Sequence, residues 1–348
     1  MNAVTSNRGV KIFGVPFDPV DSTERLNLKL AYLSRSTDVC RGSERILDPY
    51  DLMQAELTDK AHLLDRSAWL GKVWVDSWLT PRPEPRDLPM LASSEIYSFW
   101  ERNGCWDYAL RVAEFIEKQV LPYKPVMIGV DHSSTAGSLV ALAKLYHNLN
   151  VIVLDAHFDV MKHKGFILNK YKENPQFCHC GNFLAHVLER KIIKPENLWI
   201  LGIADEVSPE SQQHFVDMSG APYYSSELER WIDRGVHVQS KKAVTSERIS
   251  IDLNGPTYIS IDMDIGSLSS VFSARFMNCY GLSVKEISHL LSRIGTSIKQ
   301  AGVPLVGLDI MEVDIHFLEA VEAMPFDDCT KDIIETVFRL SLDRGLLS

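Results

Sequence analysis

Short apolar runs alternate along the chain with stretches that have helical spacing. An unbroken apolar run of this kind predicts a strand covered on both faces, which is typical of a parallel sheet. Alternation of such runs with helical patterns predicts an α/β fold, with a mostly parallel sheet and helices on both of its faces. The predicted strands are residues 10–15, 72–76, 125–130, 151–155, 198–203, 257–262 and 304–310.

Three stretches predict helices. The sharpest pattern follows Ser283, where apolar residues recur on one helical face and Ser283 with Glu286 has the spacing of a capping box. Residues 107–120 and 137–149 show similar spacing with weaker capping signals. Residues 77–93 contain four prolines and predict a connector.

The run at 151–155 ends in polar residues: Asp155, His157 and Asp159 follow one another at alternate positions. Residues two apart on an extended chain point the same way, roughly 6.6 Å apart. The carboxyl ends of parallel strands are where open α/β sheets bind their ligands. One such residue alone would more often cap a helix, but three ionisable groups together without a counter-charge are costly. We therefore expect a cation here.

Other predicted strand ends carry similar groups: Asp131, His132, Asp262, Asp264, Asp309, Glu312 and Asp314. Each could be an ordinary cap or loop residue when taken singly. Two imidazoles and four carboxylates in one place would carry too much negative charge for one divalent ion; these are His132, His157, Asp155, Asp159, Asp262 and Asp264. A pair of ions ~3.5–4 Å apart and bridged by carboxylates would balance it. Oxygen ligands with few imidazoles and no thiolate favour manganese, magnesium or iron over structural zinc.

Three motifs at these strand ends carry a family resemblance: GVDHS, DAHFD and SIDMD. In this order they resemble the GGDHS, DAHxD and SxDxD motifs of the ureohydrolases, the arginase and agmatinase superfamily. The opening IFGVPFD is similar to that family's first strand. The resemblance implies a three-layer α/β/α sandwich and two manganese ions. It also implies a single domain over residues 1–348, in which residues 20–95 form a divergent part.

The motif positions imply a ligand set. His132 and Asp159 would belong to one ion and His157 and Asp264 to the other. Asp155 and Asp262 would bridge the two ions.

Three residues would carry the chemistry. Glu312 matches the glutamate that grips the substrate guanidinium, and Asp264 would help to orient the reacting groups. His179, in FCHCGNF, falls where the family has a histidine that shuttles a proton to the leaving amine. The flanking Cys178 and Cys180 leave open a soft-metal or redox loop, although their spacing differs from the usual Cys-x-x-Cys.

The sequence departs from the family where free arginine would be recognised. No asparagine stands at the matching place after DAHFD, and Val207 follows Asp205 where a second acidic residue would hold the substrate amine. The Asp-Pro that ends the SxDxD motif is also replaced. A site without these groups suits an arginine whose amino and carboxyl groups are already in peptide bonds.

We therefore predict a binuclear manganese hydrolase that converts arginine within a precursor peptide to ornithine, releasing urea. An agmatinase-like or arginase-like hydrolase of a free guanidine is the alternative within the family. A metal-binding protein without turnover is a second alternative. The zinc deacetylases that share this fold are disfavoured because the chain has no adjacent pair of histidines.

Composition indicates which classes of binding partner and which cellular location to expect. The net charge of −10 argues against nucleic acid and anionic membranes, and no apolar run reaches the ~20 residues of a membrane span. The first residues lack a basic region followed by a long apolar core, so we predict no secretory signal. The six cysteines are scattered, which favours reduced thiols in the cytoplasm. We also expect a homo-oligomer.

Overall fold

The computed structural model describes residues 9–39, 46–58, 68–160, 177–203, 226–246, 251–267, 269–277, 281–322 and 328–343. Among them, eight strands form one sheet in which every pairing is parallel. The strands are β1 (Val10–Val15), β2 (Trp69–Lys72), β3 (Lys124–Gly129), β4 (Asn150–Leu154), β5 (Leu198–Ile203), β6 (His237–Ser240), β7 (Thr257–Asp262) and β8 (Leu305–Met311). Their order across the sheet is β2-β1-β3-β8-β7-β4-β5-β6.

The helices lie on both faces of this sheet. They are α1 (Thr23–Val39), α2 (Pro49–Thr58), α3 (Ser93–Glu101), α4 (Gly104–Phe115), α5 (Thr135–Ala143), α6 (Phe183–Glu189), α7 (Ser226–Asp233), α8 (Lys241–Thr245), α9 (Val284–Ala301), α10 (Ile315–Glu322) and α11 (Thr330–Asp343). The predicted α/β fold with a mostly parallel sheet and two helical layers is confirmed.

Alternate residues of a central strand enter different cores, as the pleat of a strand requires. On β4, Val153 belongs to the core that includes residues of α4, α5 and α6. Its neighbour Ile152 belongs to the core that includes residues of α9 and α11. Because both faces are covered, this strand is apolar at nearly every position.

The helix α9 begins as its sequence pattern predicts. The Ser283 side chain accepts a hydrogen bond from the main-chain N–H of Glu286, and the Glu286 carboxylate accepts one from the N–H of Ser283. Gly302 ends the helix at φ +65°, a left-handed conformation that glycine adopts without strain. The helices predicted at 107–120 and 137–149 are present with different bounds. The first is α-helical over Gly104–Phe115 and continues as a π-helix over Ile116–Val120, and the second spans Thr135–Ala143.

Both edge strands differ from prediction. The strand predicted at 72–76 lies at Trp69–Lys72, and beyond it the chain keeps one hydrogen bond to β1, from the N–H of Val73 to the carbonyl of Gly14. The strand β6 was missed because its sequence, HVQS, is short and mostly polar. An edge strand is only half covered, so it needs no apolar run.

Two further findings concern the connector and the helices. The predicted connector at 77–93 contains short 3-10 helices at Ser77–Leu79 and Pro85–Leu91. No helix in the described part of the chain is long and apolar enough to cross a membrane.

Candidate metal centre

The candidate site lies at the carboxyl ends of four adjacent central strands. Parallel strands end at the same edge of a sheet, so the neighbouring order β3-β8-β7-β4 brings their last residues together. The site residues that follow or end these strands are His132, Glu312, Asp262, Asp264, Asp155, His157 and Asp159. These side chains therefore lie at the carboxyl-terminal edge of the sheet, as the sequence predicts.

A first cluster surrounds the Nδ1 atom of His132. The nearest carboxylate oxygens are those of Asp262 at 2.9 Å, Asp159 at 3.0 Å and Asp155 at 3.5 Å. All four side chains are buried. One nitrogen cannot donate to three oxygens at once, and none of these contacts has hydrogen-bond geometry. A cation among these four groups would satisfy all of them.

The opposite nitrogen of His132 is held by a chain of hydrogen bonds. Its Nε2 lies 2.9 Å from the Oγ of Ser260, which in turn donates to Asp309 at 2.5 Å. Asp309 also accepts hydrogen bonds from Thr135 and Tyr258. Because the Ser260 proton goes to Asp309, its oxygen is left to accept the Nε2–H of His132. This arrangement leaves the lone pair of Nδ1 facing the carboxylates, as a metal ligand requires.

A second cluster joins His157, Asp155 and Asp264. The Nδ1 of His157 lies 2.5 Å from Oδ2 of Asp264 and 3.6 Å from Oδ1 of Asp155. Asp155 therefore directs one oxygen to each histidine, which is the arrangement of a bridging carboxylate. The His157 side chain is 22% exposed and that of His132 is fully buried, so the second cluster is the one nearer to solvent.

The two clusters carry more negative charge than their histidines balance. Burial raises the pKa of Asp262 well above its usual value, and the charges of Asp264 and Asp155 raise it further. Burial likewise raises the pKa of Asp159 to about 7, with a contribution from Asp155. Burial opposes ionisation of Asp155 too, but the two histidines beside its oxygens hold its pKa well below the usual range. Divalent cations would supply the missing positive charge, so these residues fit a pair of ions.

Two site residues have left-handed backbone conformations, which residues other than glycine rarely adopt. Asp159 has φ +46° and Glu312 has φ +63°. The carbonyl of Asp159 accepts a hydrogen bond from Leu184, and that of Glu312 accepts one from Arg275. Strained positions of this kind persist where the surrounding structure over-determines them, and they concentrate at functional sites.

The Glu312 side chain lies buried beside the first cluster. Its Oε1 accepts the main-chain N–H of His132 at 3.0 Å and lies 3.9 Å from Nη1 of Arg275. Its Oε2 has no hydrogen-bond partner among the described residues. Burial raises the pKa of Glu312 well above its usual value, and the Arg275 guanidinium opposes this shift.

His179 lies in a loop that packs against the start of the segment carrying His132. The ring of Phe183, which begins α6, lies 4.7 Å from that of His132. His179 itself is buried, and its Nδ1 accepts the N–H of Gly181 at 3.1 Å. In the neutral ring this hydrogen bond leaves the proton on Nε2. The loop therefore fixes which nitrogen of His179 can give a proton.

Burial favours the protonated thiol form of the two flanking cysteines. Burial raises the pKa of Cys178 and of Cys180, which disfavours the thiolates that a soft metal needs. Cys180 forms a third group with Asp21 and Asp131 whose spacing could hold a metal. That group already contains a cation, because the Arg275 guanidinium forms ion pairs with both carboxylates.

The sequence analysis assigned no role to the residues that hold the two clusters in place. Ser260 is the first residue of the SIDMD motif, and its role could have been inferred, since it stands two residues before Asp262 on β7 and so faces the same way. No local signal marks Arg275. The departures at Asp205, Val207 and residues 161–176 lie outside the described residues.

A parallel α/β/α fold with a histidine and carboxylate cluster at its strand ends defines a class of metal-binding proteins. A model of the arginase family matches residues 97–322, which is more than half of the chain, and the chain belongs to this family. An arginase from Plasmodium berghei is 27% identical over 222 residues, which cover 59% of this chain and 56% of that protein. The alignments span about half the length of the first curated relatives.

Two solved structures show the same fold over the whole chain. Formimidoylglutamase from Bacillus subtilis aligns with a TM-score of 0.57 at 16% identity, over 100% of this chain and 90% of its own. A variant of Trypanosoma cruzi formiminoglutamase with manganese aligns with a TM-score of 0.57 at 13% identity, over 100% of this chain and 96% of its own.

Proposed function

We propose that this protein is a binuclear manganese hydrolase that cleaves a guanidino group to urea and an amine. The observation that carries the proposal is Asp155, whose two oxygens face one histidine each. When bound, a pair of divalent ions lowers the pKa of water and so supplies a nucleophile near neutral pH. Family membership supports the same reaction class.

The proposed ligands follow the two clusters. His132, Asp159 and Asp262 would bind the first ion, and His157 and Asp264 the second, with Asp155 shared between them. We propose Asp262 as a second bridge on its motif position. Manganese suits these ligands because all six proposed ligand residues are carboxylates or imidazoles, four of the first and two of the second. The relative from Trypanosoma cruzi was solved with manganese, which also supports this choice.

Glu312 is proposed to bind the substrate guanidinium. A buried carboxylate oxygen without a partner is a costly group, and a guanidinium would satisfy both its charge and its hydrogen bond. The Oε2 of Glu312 is such an atom. Asp264 would help to orient the reacting groups from the more exposed cluster.

His179 is proposed to give a proton to the leaving amine. Its Nε2 carries the proton in the neutral ring because Nδ1 accepts from Gly181. An imidazole can both give and regain a proton near neutral pH, which general acid catalysis requires.

The preferred substrate is proposed to be an arginine side chain within a peptide, which would become ornithine. The support is in the sequence: Val207 and the loop after DAHFD lack the groups that would pair with the charged ends of free arginine. A free guanidine is the second candidate, favoured by the curated relatives, which include arginases, and by the agmatine ureohydrolase of Thermoplasma volcanium among the similar structures.

Urea release by the manganese-loaded protein tests the proposal. The substrates are a short arginine peptide blocked at both ends, free arginine and agmatine. Urea from the blocked peptide alone supports the peptide substrate, and urea from a free guanidine alone supports the second candidate. No urea from any of them, with both ions bound, would indicate a metal-binding protein without turnover.

A further inference from the structure

Arg275 is a buried arginine whose guanidinium lies next to the carboxylate proposed to bind a substrate guanidinium. Its side chain is fully buried. Its Nη2 donates to Asp21 at 2.8 Å and to the carbonyl of Pro19 at 3.0 Å, and its Nη1 pairs with Asp131. The same Nη1 lies 3.9 Å from Oε1 of Glu312. Its Nε lies 3.3 Å from Oδ1 of Asp18, so four carboxylates and one carbonyl surround this one cation.

The backbone around Arg275 also holds Glu312. The N–H of Arg275 donates to the carbonyl of Glu312 at 2.8 Å, and the N–H of Asp314 donates to the carbonyl of Ser273 at 2.7 Å. These bonds form a short antiparallel contact that includes the bridge between Ala274 and Val313. The strained main chain of Glu312 is therefore fixed by the same segment that supplies the guanidinium.

The two oxygens of Glu312 have different surroundings. Oε1 is held by the N–H of His132 and faces Arg275, whereas Oε2 is buried without a hydrogen-bond partner in the described part of the chain. Among the ion pairs of the described residues, Glu312 pairs only with Arg275. Without Arg275, the buried charge of Glu312 would be uncompensated and would destabilise the folded protein. The Glu312 side chain would also lose the group that Oε1 faces.

We propose that Arg275 is the positioning residue for Glu312, and that it leaves Oε2 as the single oxygen that meets the substrate guanidinium. This inference rests on the proposed function. With Oε1 engaged by the protein, the substrate guanidinium makes a one-oxygen contact with Glu312 instead of a two-pronged one. The Arg275 guanidinium already pairs with Asp21 and Asp131, so these carboxylates are not available to a second guanidinium.

Arg25 provides a matched control. It is also a buried arginine, and its Nε lies 3.4 Å from Oδ1 of Asp18, where that of Arg275 lies at 3.3 Å. Its other carboxylate partner is Asp314 and not Glu312. Arg275→Lys and Arg25→Lys both keep the buried charge but lose the planar fork of donors.

The test compares the two lysine variants for urea release, bound manganese and melting temperature, with the blocked arginine peptide, free arginine and agmatine as substrates. We expect Arg275→Lys to lower kcat/KM about tenfold or more. Bound manganese and melting temperature should match those of Arg25→Lys, whose kcat/KM should stay near that of the wild type.

A double-mutant cycle with Glu312→Gln separates positioning from general destabilisation. If Arg275 acts through Glu312, Arg275→Lys should change kcat/KM little once Glu312 is already replaced. Should Arg275→Lys fold poorly, Arg275→Gln combined with Asp131→Asn removes the cation together with one carboxylate and serves in the same cycle.

Equal losses in both lysine variants, additive losses in the cycle, or loss of manganese from Arg275→Lys alone would each overturn the inference and leave the proposed function standing. Absence of urea release by the manganese-loaded wild type would instead overturn the proposed function, and the inference with it.

Discussion

The Nδ1 atom of His132 lies 3.5 Å from Oδ2 of Asp155, and neither of these buried atoms has a hydrogen-bond partner in the described part of the chain. Buried polar atoms are nearly always satisfied. Two unsatisfied atoms that face each other, with Asp159 and Asp262 beside them, have the arrangement of ligands that could hold a cation. The other oxygen of Asp155 repeats the relationship with His157.

The shared position of Asp155 predicts how metal binding responds to substitution. Asp155→Asn should weaken the binding of both ions, because one oxygen of Asp155 belongs to each cluster. Asp159→Asn should weaken the binding of the first ion alone. Equilibrium dialysis against manganese followed by elemental analysis measures this. Asp87→Asn, at a buried carboxylate that accepts a hydrogen bond from Ser77 within the connector, is the control and should keep both ions. Equal losses from Asp155→Asn and Asp159→Asn would contradict the shared role.

The hydrogen bond from His132 to Ser260 predicts an effect on metal affinity. Ser260→Ala removes the group that fixes the ring, so manganese affinity should fall by about 10–100-fold, as for other partners of metal-binding histidines. Ser270→Ala removes a buried hydroxyl that donates to Leu282 instead, and affinity should not change. An isothermal titration of the metal-free variants measures both. Unchanged affinity in Ser260→Ala would show that the ring is held without this hydrogen bond.

His179 should affect turnover without affecting metal content. His179→Ala removes the proposed proton donor, so kcat should fall by about 10²–10⁴-fold while both ions stay bound. His186→Ala is the control, since His186 is a buried histidine on the adjacent α6. Stopped assays of urea release together with metal analysis test the pair. The proton-transfer role fails if the two variants keep the same turnover.

The buried Asp18 predicts a loss of stability in acid. Burial disfavours its charge, but Arg25, Lys29 and Arg275 lower its pKa to about 2, from 3.8 in a model peptide. A carboxyl group with a lowered pKa in the folded state contributes stability above pH ~4, and this contribution disappears as the pH falls from ~4 to ~2. The difference corresponds to about 2 kcal/mol at neutral pH.

Comparison of the wild type with Asp18→Asn by urea denaturation measures this contribution. The variant should be less stable by about that amount or more at pH 7, because three buried cations also lose a partner. The gap between the two proteins should narrow as the pH falls below ~4. A gap that stays constant from pH 7 to pH 3 would contradict the assignment.

The sequence predicted the central strands and the polar groups at their carboxyl ends because both depend on local patterns. The runs at β4 and β7 are apolar throughout since helices cover both faces, and the groups that follow them alternate as strand geometry requires. Motif positions then placed His132 and His157 in separate clusters, where the structure has them.

The support of the site could not be predicted because it depends on contacts between distant segments. Arg275 reaches Asp21 across 254 positions of the chain and Asp131 across 144. No spacing rule links such residues, and a single arginine is most often a surface residue. The edge strand β6 was missed for a related reason, since its pairing with β5 and not its composition makes it a strand.

The most direct test of the central claim is a titration of the metal-free protein with manganese, in which bound ions and urea release are followed together with an active guanidino substrate. We expect saturation at two ions per chain, with urea release that appears as the second ion binds. Saturation at one ion, or urea release that does not depend on manganese, would contradict it.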